Sequence, residues 1–393
     1  MPIGYLTACG VAAAGMLLAL RPLRRSGRLG RVSWFLSAAA NESPILACYW
    51  VLAVTLLALA QGDLDTPLAW GGLAIAGATF VGTPVLIRRS LRAAPAVQQA
   101  LDEGLGGEWR ESTVPAGAAS RPGRRLPWVR ILLAPVPLFR RDIQRFANIS
   151  YGDAGRHNRL DLYRRRSGPS RGPILIHLHG GHFRRGRKSF EGRPLLHRLA
   201  AHGWVCISAN YRLQPAATFP DYVIDLKRVI AWAREHAHEH GGDPEQVFVA
   251  GSSAGAHIAA TAAFTANDPT FQPGFEEADT TVAGAVGLYG YYGPVDSGRQ
   301  PLPSSPADYV YPEAAPLLIA HGDQDTYVSP EHARWFADRV RETSMSPVVY
   351  AELPGGQHSF DLFHSIRFET VIDGIEAFAA WVRSRQPSVV GAR

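Results

Sequence analysis

Lysine is nearly missing from this 393-residue chain: Lys188 and Lys227 are the only two, and arginine carries almost all the positive charge. With 40 Lys plus Arg against 34 Asp plus Glu the formal net charge is +6, and neither zinc-knuckle spacing nor an aromatic-basic RNA signature accompanies it. No nucleic-acid partner is expected. Cysteine is scarce as well. Cys9, Cys48 and Cys206 are odd in number and each lies in apolar sequence, which leaves no disulfide framework to expect. They read as buried thiols.

Charge is wholly absent from three stretches near the start: Ile3 to Leu20, Pro44 to Ala60 and Leu68 to Ile87. A bilayer core about 30 Å thick calls for about 20 apolar residues per helix, so residues 1–92 are predicted to be a transmembrane helical region with three spans. Trp34 to Ala40 either extends the middle span or lies along the interface, with Asn41 and Glu42 interrupting. A cleaved secretory signal needs positive charge ahead of its apolar run, and here the arginines follow it. Arg21, Arg24, Arg25, Arg28 and Arg31 separate the first two stretches, Asp63 and Asp65 the next two, and Arg88, Arg89 and Arg92 follow the third. Arginine-rich loops stay cytoplasmic. The expected arrangement is a multi-pass cell-membrane protein with its C-terminal part inside. The alternative is an apolar helical hairpin packed on the rest of the chain. Gly72 and Ala76, four apart, could let the third helix approach another closely.

Residues 93–125 are rich in Ala, Gly, Pro, Ser and Arg without period and are predicted to be a linker. Leu126 to Phe146 mixes aromatics, aliphatics and arginines and is broken by prolines. It reads either as an interfacial segment or lid, with Trp128, Leu132 and Phe139 at the acyl boundary, or as a proline-kinked strap. Thereafter the pattern changes. Phe146 to Tyr151 and Arg159 to Tyr163 form an edge hairpin around Gly152-Asp-Ala-Gly155. Apolar strands at Ile174–Leu178, Trp204–Ser208, Val247–Ala250, Val282–Leu288, Leu317–Ala320 and Val348–Leu353 then alternate with helices. Such alternation means a mostly parallel sheet covered on both faces, with its site at the strands' carboxyl ends.

Four motifs sit at those ends in order. Pro173-Ile-Leu-Ile-His-Leu-His179 runs into Gly180-Gly181-His182-Phe183, where unshielded amides can converge on a developing oxyanion. Val247 begins a β-branched run that enters Gly251-Ser-Ser-Ala-Gly255 and an alanine-rich helix. This is a strand-to-helix elbow: Gly251 and Gly255 permit the tight turn, and the central Ser253 is pushed into a strained, exposed position. His321-Gly-Asp-Gln-Asp325 ends another strand, and Pro354-Gly-Gly-Gln-His358-Ser-Phe360 closes the series. Serine, then acid, then histidine is the α/β-hydrolase order. Ser253 is the expected nucleophile, His358 the base and Asp325 the acid, with Asp323 and Asp361 competing for the acid and His364 and His257 for the base. The amides of Gly181, His182 and Ala254 are the expected oxyanion donors.

From about Phe146 onward the chain resembles the α/β-hydrolase superfamily, in the esterase and lipase branch related to hormone-sensitive lipase and actinobacterial carboxylesterases. The matching pieces are the elbow, His179-Gly-Gly-His182-Phe183, Tyr211-Arg-Leu-Gln-Pro215 with Phe219-Pro220, His321-Gly-Asp-Gln-Asp325 and Gly356-Gln-His358-Ser-Phe360. The resemblance implies an α/β-hydrolase catalytic domain over 146–393 and favours Asp325 as the acid. It departs at His182, where the family usually has glycine; a larger residue there also resembles the arylformamidase variant.

Phe183, Phe219, Tyr289, Tyr291 and Tyr292 are candidates to line a hydrophobic substrate pocket. His177, His179 and His257 read as structural. No metal site is expected, since His236, His238 and His240 are spaced i,i+2 and do not share a helical face. No cofactor is expected either, because acyl transfer runs through a covalent serine intermediate and water. The expected activity is that of a membrane-anchored serine carboxylesterase or lipase acting on lipophilic esters. An amidase or arylformamidase on the same triad, or a non-catalytic tethered scaffold, is the alternative.

Overall fold

The computed structural model describes residues 2–23, 27–113, 126–167, 171–295 and 302–385, so Arg24, Arg25 and residues 114–125 of the expected linker lie outside the described residues. Helices α1 (Pro2–Leu20), α2 (Arg28–Glu42), α3 (Pro44–Ala60) and α4 (Pro67–Leu91) come first. Small residues set their spacing: a Cβ on Gly72 would meet the Tyr5 ring of α1 at 2.5 Å, and one on Gly82 would meet Met16 at 2.8 Å. Ile3–Leu20 and the run Pro67–Leu105 are long and apolar enough to cross a membrane, and α2 with α3 makes a third such element bent by 89°.

The linker expected over 93–125 needs correction. Its first part is helical, as α5 (Ala93–Leu105) and α6 (Trp109–Thr113). Ala93, Val97, Leu101 and Leu105 recur at helical spacing and are buried, so α5 belongs to a hydrophobic core. After α7 (Trp128–Leu133), Arg193 Nη1 donates to the Pro137 carbonyl (2.8 Å) and the His364 amide donates to that of Pro135 (2.7 Å). This segment is a strap by its backbone, yet Val129, Leu133, Leu138 and Phe139 point outward and are exposed.

The sheet region follows as β1 (Ile143–Ser150), β2 (Arg159–Arg165), β3 (Gly172–Leu178), α8 (Arg193–Ala201), β4 (Val205–Ala209), α9 (Asp221–His236), β5 (Gly242–Ser252), α10 (Ala254–Phe264), β6 (Gly284–Leu288), β7 (Leu317–Gly322), α11 (Pro330–Thr343), β8 (Val348–Leu353) and α12 (Ile366–Arg385). The strands form one eight-stranded sheet in the order β1-β2-β4-β3-β5-β6-β7-β8. The β1–β2 and β2–β4 pairs are antiparallel and the rest parallel. One core packs the sheet against α9, α10 and α11, and the other packs its opposite face against α5, α8 and α12. Burial on both faces explains why β4, β6 and β7 are buried at every position and largely apolar rather than alternating. Leu178 is level with Gly251 and Ser252 with Leu288, so the loops after β3, β5 and β6 leave from one edge.

Candidate active site

The elbow is tight for the reason its glycines imply. A Cβ on Gly251 would meet the Gly255 carbonyl at 2.1 Å, and one on Gly255 would meet the Leu178 carbonyl oxygen at 2.3 Å. Ser253, between them, has φ 54°, a left-handed value that a side chain adopts only when its surroundings enforce it. Its Oγ lies 3.1 Å from His358 Nε2, and His358 Nδ1 lies 2.7 Å from Asp325 Oδ2. The three residues expected to act together are therefore within hydrogen-bonding reach. The Tyr327 and Val328 amides each donate to Asp325 Oδ1 at 2.8 Å. Burial alone would push the Asp325 carboxyl up, but the imidazoles of His358 and His321 outweigh it and hold the group below its ordinary range.

The competitors go elsewhere. Asp361 accepts from Ser252 Oγ (2.6 Å) and from the Tyr289 hydroxyl, beneath the elbow. His364 Nδ1 pairs with Glu369 Oε1 at 2.7 Å, and His257 is fully buried on α10. His177 Nε2 is 3.0 Å from Ser252 Oγ, while His179 Nδ1 bonds to the Gly180 carbonyl at 2.6 Å and its ring stacks on Tyr211. Both histidines shape the loop.

On that loop the Gly180 amide donates to Glu191. The next two amides, of Gly181 and His182, are the expected oxyanion donors of this loop. Gly181 takes φ 111°, and a Cβ there would strike the Arg185 carbonyl oxygen at 1.8 Å. Ala254 is the first residue of α10, where an amide has no intrahelical acceptor. Close packing, followed by the nearby Asp361 charge, pushes the Glu191 carboxyl up. A raised carboxyl favours the fold most below the ordinary glutamate range, and this contribution is lost as pH rises through the folded-state value. Glu191→Gln keeps an acceptor for Gly180 without titrating. Its thermal midpoint is therefore expected to gain on the wild type between about pH 5 and pH 9, by a few degrees; parallel melting curves across that range would contradict this.

A cleft of about 420 Å³ opens at the serine, lined by His182, Phe183, Tyr291, Val295, Tyr327 and Val328 among others. Of the expected pocket residues, Phe183 and Tyr291 line it and three need correction. Phe219 is fully buried edge-on to Tyr222 and Phe271, and Tyr292 stacks on Phe336 at 4.2 Å, so both are core. Tyr289 lies behind the site, its ring 4.6 Å from that of His358. Two neighbours of His358 escape a local reading. Tyr327 stacks on its ring at 4.8 Å, and Trp34 Nε1 donates to its carbonyl at 3.0 Å. Tyr327 was signalled only by its place two residues after Asp325. Nothing local marks Trp34. Among the described residues no His, Cys, Asp and Glu group could hold a metal ion.

Residues 160–300 match the family described as BD-FAE. The probable carboxylic ester hydrolase LipM of Mycobacterium tuberculosis is 37% identical over 417 residues, spanning 98% of this chain and 94% of that protein. Esterase LipQ of the same organism is 36% identical, spanning 77% of each. The native structure of esterase 2 from Thermogutta terrifontis superposes with a TM-score of 0.53 at 22% identity, covering 63% of this chain and 95% of that one, a likeness of fold. LipM extends that relatedness through the N-terminal helices as well as the sheet. The chain belongs to the esterase branch of the α/β-hydrolase superfamily related to hormone-sensitive lipase, and it is a carboxylic ester hydrolase.

Proposed function

We propose that Ser253, His358 and Asp325 are the catalytic triad of a membrane-anchored esterase acting on lipophilic carboxylic esters. The observation that carries this reading is the chain of contacts Ser253 Oγ to His358 Nε2 (3.1 Å) and His358 Nδ1 to Asp325 (2.7 Å) at the foot of the cleft. Ser253 Oγ attacks the ester carbonyl carbon while His358 Nε2 takes its proton, and Asp325 holds the Nδ1–H tautomer. The amides of Gly181, His182 and Ala254 receive the oxyanion, worth about 10²–10³ in rate for each donor. Collapse breaks the carbon–oxygen bond, and His358 returns the proton to the departing alcohol. Water, deprotonated by the same imidazole, then releases the acid from Ser253.

The anchor is α1, α3 and α4. Arg89, at the end of α4, donates to the Leu20 carbonyl at the end of α1 (2.8 Å) and lies against Gly355 near the base loop. The arginine-bearing helix ends thus meet near the base loop, which supports a cytoplasmic catalytic side. Phe183, Tyr291, Val295 and Val328 give the cleft apolar walls suited to an acyl chain. The test combines fluorophosphonate labelling of membrane and soluble fractions with hydrolysis of p-nitrophenyl esters of increasing chain length. Labelled protein is expected in the membrane fraction, with kcat/KM rising about tenfold from acetyl to medium-chain esters as methylenes are buried. Soluble labelled protein, or a preference for acetyl, would refute the anchor or the lipophilic substrate respectively.

A further inference from the structure

Helix α2 is amphipathic in the reverse of the usual sense. Ser33, Ser37, Asn41 and Glu42 are no more than 4% exposed, whereas Phe35 is 74% and Val32 52% exposed, with Leu29 and Leu36 beside them. A helix facing water would bury the second set. Ser33 accepts from the Leu23 amide and Ser37 donates to the Ser33 carbonyl, while other positions of α2 meet the two loops that bring acid and base to the serine. Thr326 Oγ1, one residue past Asp325, donates to the Gly30 carbonyl at 2.9 Å. Trp34 Nε1 donates to the His358 carbonyl at 3.0 Å, and its ring packs against Tyr327 at 5.1 Å. Asn41 Nδ2 donates to the Gly355 carbonyl at 3.0 Å. Glu42 accepts from Ser365 Oγ (2.9 Å) and pairs with Arg367, sealing the far end of the same loop.

We infer that α2 is a lipid-covered positioning helix: its outer face rests on the membrane surface while Trp34 and Asn41 hold the His358 loop in register with Ser253. The inference rests on the triad proposed above. Lipid is the occupant because the apolar face continues onto α3, which leaves α2 at 89° and is itself apolar, as expected of an in-plane helix joined to a crossing one. Trp34 holds His358 twice, by the bond to its carbonyl and by edge-on contact with its imidazole at 6.0 Å; it is a positioning residue, and Trp34→Phe tests the first of these holds.

The experiment uses the full chain in phospholipid nanodiscs with soluble p-nitrophenyl acetate, active sites being counted by exhaustive fluorophosphonate labelling. Trp34→Phe removes the donor and keeps an aromatic ring. Its kcat per labelled site is expected to fall about tenfold with KM within about twofold, since a small displacement of the base penalises the transition state and not substrate binding. Asn41→Ala is expected to act in the same direction. Trp50→Phe, which loses a donor to the Ala8 carbonyl away from the site, is the control and should match the wild type. Counting sites separates misfolding, which lowers the number labelled, from misplacement, which lowers turnover at each. Wild-type turnover abolished by Ser253→Ala, together with unaltered kcat in both Trp34→Phe and Asn41→Ala, would overturn this inference alone. Wild-type turnover that survives Ser253→Ala would overturn the triad and this inference with it.

Discussion

Ser253→Ala is expected to lower kcat by about 10⁴–10⁶-fold while leaving the fold intact, because removing the nucleophile from a triad forfeits nearly all that the three groups achieve together. Purified protein assayed on a p-nitrophenyl ester, with its thermal midpoint measured alongside, checks both halves. The adjacent serine supplies the contrast. Ser252 Oγ touches Asp361 and His177 and points beneath the elbow, away from the cleft. Ser252→Ala leaves a buried carboxylate short of one donor and is expected to cost about 1–3 kcal/mol of stability, with far less effect on turnover. A protein inactivated by Ser252→Ala and spared by Ser253→Ala would reverse the assignment.

Asp325→Asn is expected to reduce kcat by about 10⁴-fold. An amide in this place can still accept from the Tyr327 and Val328 amides, yet it no longer selects the imidazole tautomer that leaves Nε2 free to take the Ser253 proton. KM should move little, since Asp325 Oδ2 faces His358 and not the cleft. The same carboxylate sets an acid limit on stability. Its folded-state value is held below the ordinary aspartate range, so its contribution is complete above about pH 4 and is lost as pH falls through the depressed value. The Asn variant should therefore lose less stability than the wild type on acidification below about pH 4, read by denaturant unfolding. Equal acid sensitivity would contradict the pairing.

Much of this was legible because the chemistry is written where strands end. The elbow glycines, the His-Gly-Gly turn and the acid-before-histidine order are each a few contiguous residues, and steric necessity makes such short signals readable. Side-chain facing was not. Phe219, Tyr289 and Tyr292 sit near strand or loop ends like true pocket residues, but the sheet's twist and its covering helices turn them into the core, which pattern alone does not reveal. Over Ala93–Leu105 the apolar spacing was present and a linker-like composition hid it. The bond from Trp34 to the His358 loop joins residues 324 positions apart, and no local pattern encodes a contact of that range.

The continuity of α4 into α5 has a mechanical meaning. Only Arg92 separates the two helices, and Gly104 of α5 sits so close to β8 that a Cβ there would come within 2.8 Å of Val348. With the helices in lipid as proposed, the hydrolase would be mounted on a short, packed mast and not on a swinging tether. The serine then works at one fixed altitude, like a blade on a rail. Esters would be selected by how far their carbonyl rises from the bilayer, so two substrates with identical acyl groups but head groups of different stature could fare very differently.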